Sequence, residues 1–224
     1  MSIPDIPCSR PVAVMTDLVL STFIAFFVTI DPIGLGPMFA GLTAGMDARH
    51  RRRTAVKGVV IGTGLLFGFA FIGELLLTSL GIGVGAFRIA GGILLLLVAI
   101  DMVFARESGL RTATAEEKEE ATHKADISVF PLAIPLIAGP GAMTSVVLLM
   151  GRADGDLLMQ ATVLAVLSGV LLATLFVLVF AGEVSKLLGV TGINVINRVL
   201  GILLTALACQ FIIDGVIESG ILGH

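Results

Sequence analysis

The chain has 224 residues, 56% of them hydrophobic and only 14% charged, with a mean hydropathy of +1.05 and a net charge of −3. A soluble domain carries about 25% charged residues, so these values exclude a water-soluble globular protein and point to an integral membrane protein. So small a net charge gives no basis for nucleic-acid binding.

Residues 1–16 contain Pro4, Pro7 and Pro11 and lack a basic-then-apolar pattern, so they read as a short tail rather than a cleaved signal peptide. Six apolar stretches follow, at about 18–43, 55–80, 84–105, 127–150, 157–182 and 193–217, each long enough to cross a bilayer as a helix. The runs are continuous rather than alternating, which excludes a β-barrel. Between the third and fourth lies a charged linker, 106–126, with Glu116, Glu117, Lys118, Glu119 and Glu120 in a row. The implied organisation is a tail (1–16), a three-helix unit (17–105), the linker (106–126), a second three-helix unit (127–217) and a tail (218–224). Trp and Tyr are absent, so Phe, Arg and Lys must anchor the chain at the lipid headgroups. Cys8 and Cys209 are too differently placed to suggest a disulfide.

Lys and Arg set the orientation. The loops after spans one, three and five hold eleven of them, including Arg49, Arg51, Arg52, Arg53 and Lys57; the opposite face holds three, Arg10, Arg88 and Arg152. The basic loops are therefore expected in the cytoplasm and both termini outside. Each half has an odd number of spans, so the second half enters the membrane inverted relative to the first.

The halves also share sequence landmarks. Pro32 corresponds to Pro140, Glu74 to Glu183, Gly81 to Gly189 and Arg88 to Arg198, at offsets of 108 to 110 residues. The first span of each half carries helix-breaking residues near its middle: Pro32, Gly34, Gly36 and Pro37 in one, Pro131, Pro135, Gly139, Pro140 and Gly141 in the other. An unwound stretch inside hydrocarbon is tolerated only where it is buried in protein or lines a polar cavity. Half-helix ends there would present opposite partial charges to a small zwitterion such as an amino acid. The competing reading is two kinked helices packed through small residues.

Candidate binding residues cluster at these breaks. Asp31 is the sharpest, because a carboxylate at bilayer depth costs about 2.5–3.5 kcal/mol on insertion scales. It could hold a substrate ammonium, carry a coupling proton or ligate Na⁺, or simply cap the half-helix that follows. Its counterpart in the second half is Gly139. Thr29 and Thr43 flank the first break, and Thr144 and Ser145 follow the second. Their hydroxyls suit a polar ligand, or satisfy freed backbone groups. Glu74 with Arg88, and Glu183 with Arg198, are candidate gates at opposite mouths, or interfacial anchors. Asp101 and Asp214 read as interfacial, Asn194 and Asn197 as caps of span six, and the glycines of spans two and three as packing devices. No buried His, paired-Cys spacing or nucleotide-binding loop occurs, so no enzyme activity, metal or cofactor is expected.

Asp31–Phe39 (Asp-Pro-Ile-Gly-Leu-Gly-Pro-Met-Phe) and Pro131–Ser145 (Pro-Leu-Ala-Ile-Pro-Leu-Ile-Ala-Gly-Pro-Gly-Ala-Met-Thr-Ser) resemble the MarC family of bacterial inner-membrane proteins, and the resemblance covers about residues 17–217. It implies six spans and a place among transporters of neutral amino acids such as glycine and alanine.

The expectation is therefore an all-α membrane protein of two inverted three-helix repeats, with spans one and four discontinuous. It would be a secondary transporter of small neutral amino acids in the cytoplasmic membrane, coupled to H⁺ or Na⁺ since no ATP-binding motif is present. Its surroundings would be the lipid bilayer and, as an open reading, further copies of itself. A passive channel, an exporter of another small solute and a non-transporting scaffold remain the alternatives.

Overall fold

The computed structural model describes residues 10–104, 127–153 and 155–220, and these are helical with no strands. The expected linker 106–126 lies outside the described residues, as do residues 1–9 of the N-terminal tail and 221–224 of the C-terminal one. In chain order the helices are α1 (Arg10–Ile30), α2 (Pro32–Leu42), α3 (Ala48–Ser79), α4 (Val84–Phe104), α5 (Pro140–Arg152), α6 (Leu157–Val179) and α7 (Ala181–Glu218), with an irregular coil, Ser128–Ile137, leading into α5. Five helical stretches are long and apolar enough to cross a membrane, and six when the bent pair Ser128–Ile137 and Pro140–Arg152 counts as one span. Helix α1 begins at Arg10, inside the stretch read from sequence as a tail.

Local chemistry fixes the ends of several helices. Asp47 caps α3, accepting from the His50 N–H at 3.3 Å, and Asp156 caps α6, accepting from Leu158 and Met159 at 2.8 and 3.2 Å. Helix α3 stops in a Schellman turn: Gly81 adopts φ +68°, and the N–H groups of Gly81 and Ile82 return to the carbonyls of Thr78 and Leu77. The repeat-equivalent Gly189 also has a positive φ, +62°, and breaks α7 there. Asn194 and Asn197 therefore lie within the continuous helix beyond that break and do not cap it.

The packing is reciprocal between the halves. Helix α3 packs against Ser128–Ile137 and α5, and α4 against α5; likewise α6 packs against α1 and α2, and α7 against α2. Each half's first span is thus held by the second and third helices of the other half. The most extensive contact joins α4 to α7, and glycine makes it close. A Cβ on Gly92 would lie 2.8 Å from the Ala208 carbonyl, one on Gly85 2.9 Å from the Gly215 carbonyl, and one on Gly201 2.9 Å from Met102 Cβ. As residue numbers rise along α4 they fall along α7, so the pair is antiparallel. On α3, Gly58 and Gly62 receive Leu132 and Ile137, whereas Gly64 and Gly68 face open space. The expected packing role thus holds for two of these four glycines.

Candidate functional site

The first break is one residue wide. Asp31 stands between α1 and α2 with φ 51° and ψ 66°, a left-handed conformation that Asp tolerates better than most residues. Helical hydrogen bonding continues on both sides: the Asp31 N–H donates to the Phe27 carbonyl and the Leu35 N–H to the Asp31 carbonyl, each at 3.0 Å. The expected unwinding across residues 32–37 does not occur. Pro32 takes the first helical position, where the missing N–H costs nothing, and Gly34, Gly36 and Pro37 lie within α2.

The Asp31 side chain is fully buried, and its Oδ1 accepts from the Gly34 N–H at 3.1 Å. Glycine is needed at 34, since a Cβ there would sit 2.8 Å from the Asp31 carboxyl carbon. Gly36 serves packing, with its would-be Cβ 3.1 Å from Val177 on α6. The capping reading of Asp31 is thus realised in the structure.

The second break is wider. Phe130 and Ile134 have extended backbones, each before a proline joined by a cis peptide. Two wide turns follow, closed by the Leu132 N–H to the Ile127 carbonyl (3.2 Å) and the Ala138 N–H to the Ala133 carbonyl (2.9 Å). Gly139 is extended, with φ −76° and ψ 167°, and α5 starts at Pro140, bent by 55° from the coil before it. No side chain caps α5. Its first-turn N–H groups have no intrahelical acceptor, and the helix carries the positive end of its dipole there. Gly139 is half-buried and Pro140 exposed, so this break reaches the surface of the bundle. Gly141 packs on Leu95, and Thr144 on Gly91, both of α4.

The two breaks border one apolar cluster, to which Ile30 and Leu35 contribute on one side and Ile137, Ala138 and Ala142 on the other. The hydroxyls around them differ. Thr29 donates to the Ala25 carbonyl and Thr43 to the Phe39 carbonyl, each at 2.7 Å, so both repair their own helices. Ser145 is fully buried and its Oγ has no hydrogen-bond partner among the described residues; the same is true of Thr22 on α1, which sequence reasoning did not single out. An isolated Thr inside an apolar run carries no signal that could have found it.

The expected gates are not assembled. Arg88 pairs with Glu218 at the end of α7, Nη1 to Oε2 3.0 Å, not with Glu74, which is exposed. Glu183 and Arg198 are exposed and make no ion pair among the described residues. A pair not anticipated from sequence joins Arg152 to Asp214 at 2.7 Å, and Gln210 donates to the same carboxylate at 2.6 Å.

Residues 16–219 match the family described as MarC family integral membrane protein. The chain belongs to the MarC family. Among relatives, the UPF0056 membrane protein MJ1677 of Methanocaldococcus jannaschii is 38% identical over 198 residues, covering 87% of this chain and 93% of the relative. UPF0056 membrane protein YvbG of Bacillus subtilis is 34% identical, covering 93% and 96%. UPF0056 membrane protein YhcE of Escherichia coli is 34% identical, covering 87% and 89%. These names describe membrane proteins and carry no activity. No solved structure matches.

Proposed function

We propose that this MarC-family chain is a secondary transporter of small neutral amino acids, built as two inverted three-helix repeats. Its first repeat would be α1–α4 and its second Ser128–Glu218. The reciprocal packing of the halves and the antiparallel α4–α7 pair support the inverted arrangement. The distribution of Lys and Arg favours a cytoplasmic-membrane protein with both termini outside.

The observation that carries the reading is the opposite polarity of the two breaks. The first holds a fully buried carboxylate, Asp31, and the second an uncapped helix start at Pro140. A zwitterion needs that combination: its ammonium goes to Asp31, and its carboxylate to the N–H groups and dipole at the start of α5. Thr144 and Ser145, one turn further along α5, supply hydroxyl contacts. Because Asp31 sits where charge is costly, coupling to H⁺ or Na⁺ at the same carboxylate follows naturally. Substrate would cross by one repeat rocking against the other, with Asp31, Pro32 and Gly34 shaping the first break, Gly139 and Pro140 the second, and Gly36, Pro37 and Gly141 lying in the helices that follow them.

The test is uptake of labelled glycine and alanine into liposomes holding the purified protein, with and without imposed H⁺ and Na⁺ gradients, beside Asp31→Asn. Saturable, gradient-driven uptake that Asp31→Asn abolishes is the expected result. Folded protein with no uptake under any gradient would overturn the assignment.

A further inference from the structure

The ends of three helices converge on one face of the molecule: the start of α4, the end of α5 and the end of α7. Arg88 of α4 reaches Glu218 of α7, with the arginine side chain only 12% exposed. Arg152, the last residue of α5, reaches Asp214, one turn earlier on α7. Asp214 is held in place by Gln210 from the turn before it. Both pairs span more than 60 residues of sequence, so neither is a by-product of one helix. Arg152 ends the 13-residue helix α5 that starts at Pro140, about 18 Å away at the helical rise. It therefore fastens to α7 the far end of the helix whose near end forms the second break. The repeat-equivalent of Arg88 on the opposite face, Arg198, is exposed and makes no ion pair among the described residues. One face is clamped by paired charges; among the described residues, the equivalent arginine on the other has no such partner.

We propose that Arg88–Glu218 and Arg152–Asp214 form a latch that seals the protein on the face where α7 ends, and that both pairs separate when the path to the second break opens on that face. This rests on the transporter reading and adds which mouth is closed in this conformation and which residues close it. Arg88 is largely shielded from solvent, so its pair is screened less by salt than a fully solvated one.

The test reads access rather than transport, so its failure is distinguishable from failure of the transporter reading. Ser145→Cys in a Cys8→Ala/Cys209→Ala background places a thiol at a fully buried position of α5. A membrane-impermeant anionic thiol reagent is applied to each membrane face in separate samples. Labelling is expected to be slow from the latched face and to rise about five-fold with Arg152→Gln or Asp214→Asn, the shift set by a pair at the strong end of exposed ion pairs. The swapped variant R152D/D214R should return it to the original rate. Unchanged labelling in the single variants would overturn the latch, as would labelling that stays high in the swap. Should Arg152→Gln not fold, Glu218→Gln releases the second pair from a half-exposed side chain and is read by the same criterion.

Discussion

Gly92→Ala should loosen the α4–α7 pair, and the structure sets the size of the effect. A Cβ at 92 would meet the Ala208 carbonyl oxygen at 2.8 Å, Ile212 Cγ1 at 2.7 Å and the Ile212 nitrogen at 3.1 Å. Two of these three are backbone atoms of α7, which cannot step aside as a side chain tip can, so the helices must separate by about half an ångström along their closest contact. Overpacking of this kind costs about 1–3 kcal/mol, and the backbone contacts place this site at about 2–3. The gain in helix propensity from Gly to Ala offsets up to about 1 kcal/mol. Gly64→Ala on α3 makes the same propensity gain and meets nothing within 4 Å. The difference between the two variants therefore isolates packing. At about 2–4 °C per kcal/mol for a chain of this size, Gly92→Ala should melt about 4–12 °C below Gly64→Ala. The assay is thermal unfolding in one detergent, followed by loss of helical circular dichroism and by loss of the monodisperse peak on size exclusion. Equal melting of the two variants would refute close α4–α7 packing as a determinant of stability.

Asp31→Asn keeps an oxygen acceptor for the Gly34 N–H and a residue type that tolerates a left-handed backbone; it should fold with a loss under about 1 kcal/mol while losing ion-coupled uptake. Asp31→Ala removes cap and conformational preference together and should cost about 1–3 kcal/mol, read by the same melting assay. Gly34→Ala should displace the Asp31 carboxylate and reduce uptake at least as much as Asp31→Asn, while uptake equal to the unsubstituted protein would remove the carboxylate's position from the mechanism. Ser145→Ala should leave stability unchanged or slightly raised, because its buried hydroxyl has no partner to lose; a raised KM for uptake with unchanged melting would mark the hydroxyl as a substrate contact.

The helical segments were legible because hydropathy reports burial in lipid directly, and the positions of α3, α4 and α6 follow the apolar runs closely. The breaks were legible in place but not in form. Pro32 and Pro37 announced a rupture of the first span, yet Pro32 occupies the one helical position that needs no N–H, and Asp31 absorbs the whole irregularity in a single left-handed residue. In the second half Pro131 and Pro135 fall in mid-segment, where each forces the residue before it to extend, so there the disruption spreads over ten residues. The ion pairs were not legible. Repeat logic places Glu74 opposite Arg88 in one hairpin, but Glu74 is exposed and Arg88 finds Glu218 from the other half. Partner choice there depends on how α4 lies along α7, which the glycines at 85, 92, 201 and 215 decide only in three dimensions.

The asymmetry between Asp31 and Gly139 bears on whether the duplication still serves one site. Position 139 has no room for a side chain, since a Cβ there would lie 2.5 Å from the Pro135 carbonyl oxygen, so the coil before α5 admits glycine and no capping carboxylate. Glycine there keeps the α5 start open. The Asp31 carboxylate is fixed by the helix it caps, with the Gly34 N–H donating to Oδ1. A substrate ammonium arriving at that carboxylate would find it already held in position by the helix it caps, at little further cost in side-chain freedom. On the proposed reading, the repeat supplies two equivalent helix interruptions, and the single difference between them supplies the polarity that a zwitterion requires.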